Sequence, residues 1–166
     1  MTEFFTLLGH TFDQAPWLFI CLSFVFAATI GSFLNVVIHR FPVMMKREWQ
    51  QECNQYLQEY HADIVKQVGI EKLNKPIDHY PPKYNLVVPG SACPKCKTSI
   101  QPWHNLPILG WLMLRGKCAA CHAPISSRYP IIELITGLLV ATLAWHFGPS
   151  GQFIFAAILT FVLIAL

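Results

Sequence analysis

From Trp17 to Ile38 the chain runs for 22 residues without a charged side chain. At about 1.5 Å per residue, a helix of that length crosses a hydrocarbon core of about 30 Å. Backbone inside lipid must satisfy its own amides and carbonyls, so the run predicts a transmembrane helix over residues 17–38. A secretory signal is the competing reading of an N-terminal apolar run, but residues 1–16 hold Glu3 and Asp13 and no Lys or Arg. A signal peptide carries a basic n-region and a shorter apolar core, so the helix is expected to be retained. A second span is expected over residues 130–147, opened by Pro130 at a favoured first-turn position and closed by Gly148-Pro149-Ser150-Gly151. A third begins at Gln152 and is still apolar at Leu166, which reads as a chain cut off within a helix of a longer protein. The expected class is mainly α: a polytopic transmembrane helical protein, truncated within its third helix, with one large loop.

Composition agrees with that class, since 54% of the 166 residues are hydrophobic and only 13% are charged, too apolar for an ordinary soluble domain. The charges also orient it. All twelve Lys and Arg residues lie between Arg40 and Arg128, inside the loop 39–129. Six acids share that loop and leave it at +6, while the tail 1–16 and the turn 148–151 carry no basic residue. The positive-inside rule therefore puts the loop in the cytoplasm and the N-terminal tail and the 148–151 turn in the periplasm. Topology accounts for the net charge of +3, which gives no case for nucleic acid.

Within the loop stand Cys93-Pro-Lys-Cys96 and Cys118-Ala-Ala-Cys121, two C-x-x-C pairs separated by 21 residues. A two-residue gap lets both thiolates of a pair face one ion, and two such turns make a tetrahedral sulfur site for zinc. Each pair is followed by a short polar step and an Ile, Ile100 and Ile125, as in two facing knuckles joined by an arm from Trp103 to Leu114. Other chemistries fit parts of the pattern: Cys118 to His122 matches the C-x-x-C-H of haem attachment, and either pair alone could be a redox dithiol or a disulfide. None explains two pairs, and a cytoplasmic position weighs against haem attachment and stable disulfides. Four sulfurs leave no open coordination position, so the expected role is to fold the loop. His104 and His122 are read as surface histidines, and Cys21 and Cys53 as inert.

Trp49, Cys53, Tyr56, Tyr60, Ile64 and Val68 recur at steps of four and three, predicting an amphipathic helix over 43–68 capped by Gly69. Its aromatic face is expected to pack on the zinc-bound part of the loop, the alternative being a membrane surface or a partner. Asn74 to Pro89, with four prolines, reads as a stiff, mostly extended connection. Ser32 and Asn35 are polar groups that a span tolerates by bonding backbone or another helix, and Gly31 allows close helix approach. Glu133, the one charged side chain in any span, lies in the first turn of its helix, where a structural role is at least as plausible as a catalytic one. No phosphate-cradling, dinucleotide or serine-hydrolase motif is present.

These residues reach a membrane protein with a cytoplasmic zinc-knuckle loop; four longer motifs reach further. Gly31-Ser-Phe-Leu-Asn-Val-Val-Ile-His-Arg-Phe-Pro42 resembles the opening signature of the type IV prepilin peptidases, the leader peptidases and N-methyltransferases of pilus and type II secretion systems. PGSACPKC, HNLPILGWLMLRGKC and CHAPISSRYPIIE follow in that family's order and spacing. The resemblance implies a multi-pass enzyme of the bacterial inner membrane, acting on prepilins and pseudopilins. It implies an aspartic-type endopeptidase that removes a basic leader and a methyltransferase that uses S-adenosylmethionine. Carried over by position, it gives Cys93, Cys96, Cys118 and Cys121 the metal role. It places Gly116, Gly31 and Asn35 in the region tied to methyl transfer. The family's two catalytic aspartates have no counterpart here and are expected beyond Leu166. Two other functions compete: a non-enzymatic membrane adaptor presenting a zinc-knuckle loop, and a redox carrier using Cys118 to His122.

Overall fold

The computed structural model describes residues 11–12, 14–60, 81 and 83–166, without the side chains of residues 58 and 60. Four helices and one 3-10 turn occur in these residues: α1 (Pro16–Tyr60), the 3-10 turn Pro102–Asn105, α2 (Leu109–Met113), α3 (Arg128–Phe147) and α4 (Gly151–Ala165). The chain divides into two compact units. One joins the first part of α1, as far as Asn35, to Ser91–Leu166; the other is Val36–Gly90.

The first unit is built on close helix approach. A Cβ at Gly31 would lie 3.1 Å from Glu133 Cα and from Thr136 Cβ, and one at Gly137 would lie 2.7 Å from the Phe24 ring. Asn35 Nδ2 donates to the Tyr129 carbonyl at 3.2 Å and to Gly31 O at 3.3 Å. Positions therefore fall along α1 as they rise along α3, which makes the pair antiparallel. Ala27, Val140 and Ala157 form the buried centre, with Phe153 and Phe161 packed against it. Phe19 meets Phe153 edge-on at 5.1 Å between ring centroids. Ser150 caps α4, its hydroxyl accepting from Phe153 N at 3.3 Å.

Buried positions in this unit are mostly small or polar: Ser23, Ala27, Ala28, Asn35, Thr136 and Ala144. Leu22, Phe26, Phe33, Leu134, Leu138, Phe155 and Leu163 are exposed. A water-soluble bundle does the reverse, burying Leu and Phe at the centre. In lipid the hydrophobic effect does not separate the two faces, and small residues go where helices must approach. Among the described residues two helices, α1 and α3, are long and apolar enough to cross a membrane, and only 28% of each apolar window is buried, unlike the mostly buried core helix of a soluble domain. The 15 residues of α4 are also apolar and rise about 22 Å.

In the second unit the structure departs from the expected boundaries. The helix expected to close at Ile38 and the amphipathic helix expected from Val43 are one element, α1, which continues through Pro42 to Tyr60. The proline ring removes the amide that would have bonded to Ile38, and the good helix formers that follow it, Met44, Met45, Lys46, Arg47 and Glu48, carry the helix on. Trp49 and Tyr56 are exposed on it. Ile64, Val68 and the Gly69 cap lie outside the described residues. Of the connection expected to be mostly extended, residues 74–80 and 82 lie outside the described residues; at 85–88 the chain turns, as Asn85 Oδ1 accepts the amides of Val87 and Val88 at 2.9 and 2.6 Å and Asn85 N donates to Val88 O at 2.8 Å. Arg40 donates to the Asn85 and Pro89 carbonyls at 2.8 and 2.6 Å, and Tyr84 lies 5.5 Å from the guanidinium groups of both Arg40 and Arg47.

Candidate metal centre

Each cysteine pair is a one-turn loop, and the two loops repeat bond for bond. Cys93 N donates to Thr98 O at 3.0 Å and Lys97 N to Cys93 O at 2.9 Å; in the second loop Cys118 N donates to Ala123 O at 2.8 Å and His122 N to Cys118 O at 3.0 Å. Outside them, Ile100 N reaches Ser91 O at 2.8 Å and Ile125 N reaches Gly116 O at 2.7 Å. Ala92 pairs with Ser99 and Lys117 with Pro124. Every partner in the second loop lies 25 residues after its counterpart. The residue after each second cysteine takes a left-handed conformation, Lys97 at φ 60° and His122 at φ 56°. That reversal turns the chain back so that both thiols of a pair face inward.

The four Sγ atoms lie within 4.8 Å of one another. Cys93 and Cys121 are 3.7 Å apart and Cys96 and Cys118 3.9 Å apart. A tetrahedron with metal–sulfur bonds of about 2.3 Å has edges of about 3.8 Å, so the thiols stand where four ligands to one ion would stand. Cys93 is buried, and the other three are partly or fully exposed. The thiols differ in acidity. The Thr98 hydroxyl, to which the Cys96 thiol donates at 3.3 Å, and the Thr98 amide favour the thiolate and lower Cys96 from 9.0 to about 6. The amides of Cys121 and Ala120 lower Cys118. At Cys121 the Ala123 amide pulls downward, but desolvation and the other thiolates outweigh it and push the group up to about 11. The cluster thus ionises readily at two positions and resists a full set of negative charges until a cation joins it.

The arm between the knuckles is anchored at both ends. Trp111 Nε1 donates to Ile125 O at 3.2 Å, and Gly116 N donates to Trp111 O at 3.0 Å. Gly116 has φ +67°, and a Cβ there would lie 2.8 Å from Trp111 Cζ2. Gly110 passes so close to the His104 carbonyl that a Cβ has no room. At the other end, Glu133 Oε2 accepts the Ile108 amide at 2.7 Å, with Ser32 also bonding to the carboxylate. Ile108 is at φ 59°, and Glu133 is buried.

The cysteines expected to act together are together. Neither His104 nor His122 belongs to the cluster. Gly31 and Asn35 sit between α1 and α3, and Gly116 closes the second knuckle. Sequence reading missed Thr98 as the group that acidifies Cys96, although a hydroxyl two residues after a cysteine was a usable signal. It also missed the Glu133 bond to the arm, because nothing in the sequence joins residues 25 apart across a turn.

The description "Bacterial Peptidase A24 N-terminal domain" matches residues 25–147. The chain is 46% identical over 151 residues to a prepilin leader peptidase/N-methyltransferase of Aeromonas hydrophila, covering 91% of this chain and 47% of the relative. It is 43% identical over 161 residues to the protein of that name from Aeromonas salmonicida, covering 97% and 50%. It is 42% identical over 151 residues to that of Stutzerimonas stutzeri, covering 91% and 47%. The chain spans about half the length of the curated relatives it matches. No solved structure matches it.

Proposed function

The chain belongs to the bacterial A24 peptidases through their N-terminal domain, and from that premise we propose that it is the amino-terminal part of a prepilin leader peptidase/N-methyltransferase. The observation that carries this reading is the 46% identity to the Aeromonas hydrophila relative across 91% of the chain. The enzyme sits in the bacterial inner membrane as a multi-pass protein, with the N-terminus periplasmic and the basic loop cytoplasmic. Prepilins and pseudopilins are its substrates. It removes their leader as an aspartic endopeptidase and methylates the new terminal amine from S-adenosylmethionine.

Zinc is the ion of the centre, held by Cys93, Cys96, Cys118 and Cys121. When bound, it supplies a cross-link between the two knuckles and no reactive position. The chain's own residues do the rest. Glu133 fixes the arm on α3, Gly31 and Asn35 set the approach of α1 to α3, and Gly116 allows the second knuckle to close on Trp111. By resemblance Gly31, Asn35 and Gly116 belong to the methyl-transfer region, and their geometry supports a part in shaping it.

Peptide hydrolysis by carboxyl groups needs a pair, one ionised and one protonated. Among the described residues Glu133 is the only buried acidic side chain, and it is occupied by the Ile108 amide. The 166-residue chain alone is therefore expected to leave a prepilin uncut. The test is a chimera in which this chain replaces the matching half of the Aeromonas hydrophila relative. Leader removal and N-methylation of a co-expressed prepilin are expected; a folded, inserted chimera that does neither overturns the reading.

A further inference from the structure

We propose that the arm between the two knuckles is inserted in the membrane interface, with one face of α2 lying against lipid acyl chains. Leu106 lies just ahead of α2, and Leu109, Leu112 and Met113, spaced by three and one, share one side of it. They are 48%, 58%, 56% and 65% exposed. The opposite side is fully engaged: Gly110 against the His104 carbonyl, and Trp111 against Gly116 and the Ile125 carbonyl. The arm therefore has a packed side and a bare apolar side.

The depth of the arm decides what covers the bare side. Ile108, the residue that opens α2, is tied by its amide to Glu133, the sixth residue of α3. Five residues of rise place that bond about 7 Å inside the start of the helix. With the basic Arg128 that opens α3 at the headgroup level, this matches the depth of about 5–10 Å at which interfacial helices bury their apolar face. The neighbouring turns of α3 expose Ile131, Leu134 and Ile135, so the helix that holds the arm is itself apolar on its bare side at that level. Arg115 and Lys117 follow the arm directly and Arg128 opens α3; all three are exposed, and cations at these points suit lipid phosphates. A polar loop at this depth would leave Leu109 and Leu112 in water beside a hydrocarbon phase that accepts them. The inference reaches beyond membrane anchoring by the long helices, because it makes the metal-bound loop itself a lipid-contacting element.

The test uses the 166-residue chain, zinc-loaded, in vesicles of phosphatidylethanolamine and phosphatidylglycerol. A photo-crosslinking residue, benzoylphenylalanine, is placed at Leu112, with Leu138 as a position on α3 and Lys95 as a position on a knuckle. The expected result is a lipid adduct at Leu112 in a yield comparable to Leu138 and several-fold above Lys95. The same label at Met113 repeats the measurement should the Leu112 variant fail to fold, and retained zinc identifies the folded samples. An adduct yield at both arm positions no higher than at Lys95 overturns the proposal, and so does predominant cross-linking to a second copy of the chain.

Discussion

The two knuckles and the antiparallel helices α1 and α3 lie in the same compact unit, yet they are specified by opposite means. The knuckles have almost no buried side chains; Cys93 is the only buried one in either loop's thiol set, and backbone bonds plus four sulfurs define the rest. The helices have no focal group at all. They depend on small residues spread along both faces, Ala27, Gly31, Thr136, Gly137 and Ala144, and on cross-helix bonds from Asn35 to the Tyr129 carbonyl and from Ser32 to Glu133. A site with one focus fails all at once, whereas an interface with many small contacts fails by degrees.

The largest effect should come from the focus. A Cys93→Ser/Cys118→Ser variant leaves one thiol in each knuckle, and structural zinc supplies about 10–16 kcal/mol of folding free energy in small domains. The expected outcome is loss of bound zinc and of amide protection in residues 91–125, with helix content unchanged by circular dichroism. Helices that melt along with the knuckles would break the comparison.

Gly31→Leu attacks the other region. Even its Cβ would lie 3.1 Å from the backbone of Glu133, so the helices must part, at a cost of about 1–3 kcal/mol. Thermal unfolding in detergent should shift downward while zinc content stays at one per chain. Asn35→Ala is expected to cost less, about 0.6–2 kcal/mol, because it removes one bond between helices without forcing them apart. If Asn35→Ala proves more damaging than Gly31→Leu, packing is not what holds this pair.

The smallest effect sharpens the description of the thiols. Cys96 ionises at about 6, below its ordinary 9.0, so stabilisation of its thiolate is present above the ordinary value and is lost as pH falls through about 6. Zinc uptake should release more protons as pH is lowered from about 8 to about 5.5, because Cys96 must then give one up. Cys121, raised to about 11, releases its proton throughout that range. Thr98→Ala should move the Cys96 step upward, read with a pH indicator during zinc titration. An unmoved step would remove Thr98 from the site.

Much of this was legible in the residues, for a physical reason in each case. A run without charge, such as 17–38, and a doubled C-x-x-C are local signals that fix helix and loop with no knowledge of their surroundings. Gly31 was legible as a contact glycine because a span has few other uses for one next to Ser32 and Asn35. The continuation of the first helix through Pro42 was not, since a proline raises the odds of a break without deciding it, and the sequence on both sides was read as two patterns. The turn on Asn85 was hidden by prolines that favour extended chain. The Glu133 bond to Ile108 depends on where the arm folds back, a tertiary fact that leaves no trace in spacing.

The 25-residue repeat between the knuckles makes them resemble interchangeable parts, but the exchange runs in one direction only. Position 91 holds Ser and its counterpart 116 holds Gly, and the second of these is left-handed with the Trp111 ring where a side chain would go. A cassette copied from the second knuckle into the first brings a glycine to a place that accepts any residue. The reverse graft brings Ser91 to a backbone that resists it and a space already taken. Anyone shuffling segments among such chains, or building a symmetric miniature from one knuckle, should therefore use 116–125 as the template and 91–100 as the recipient.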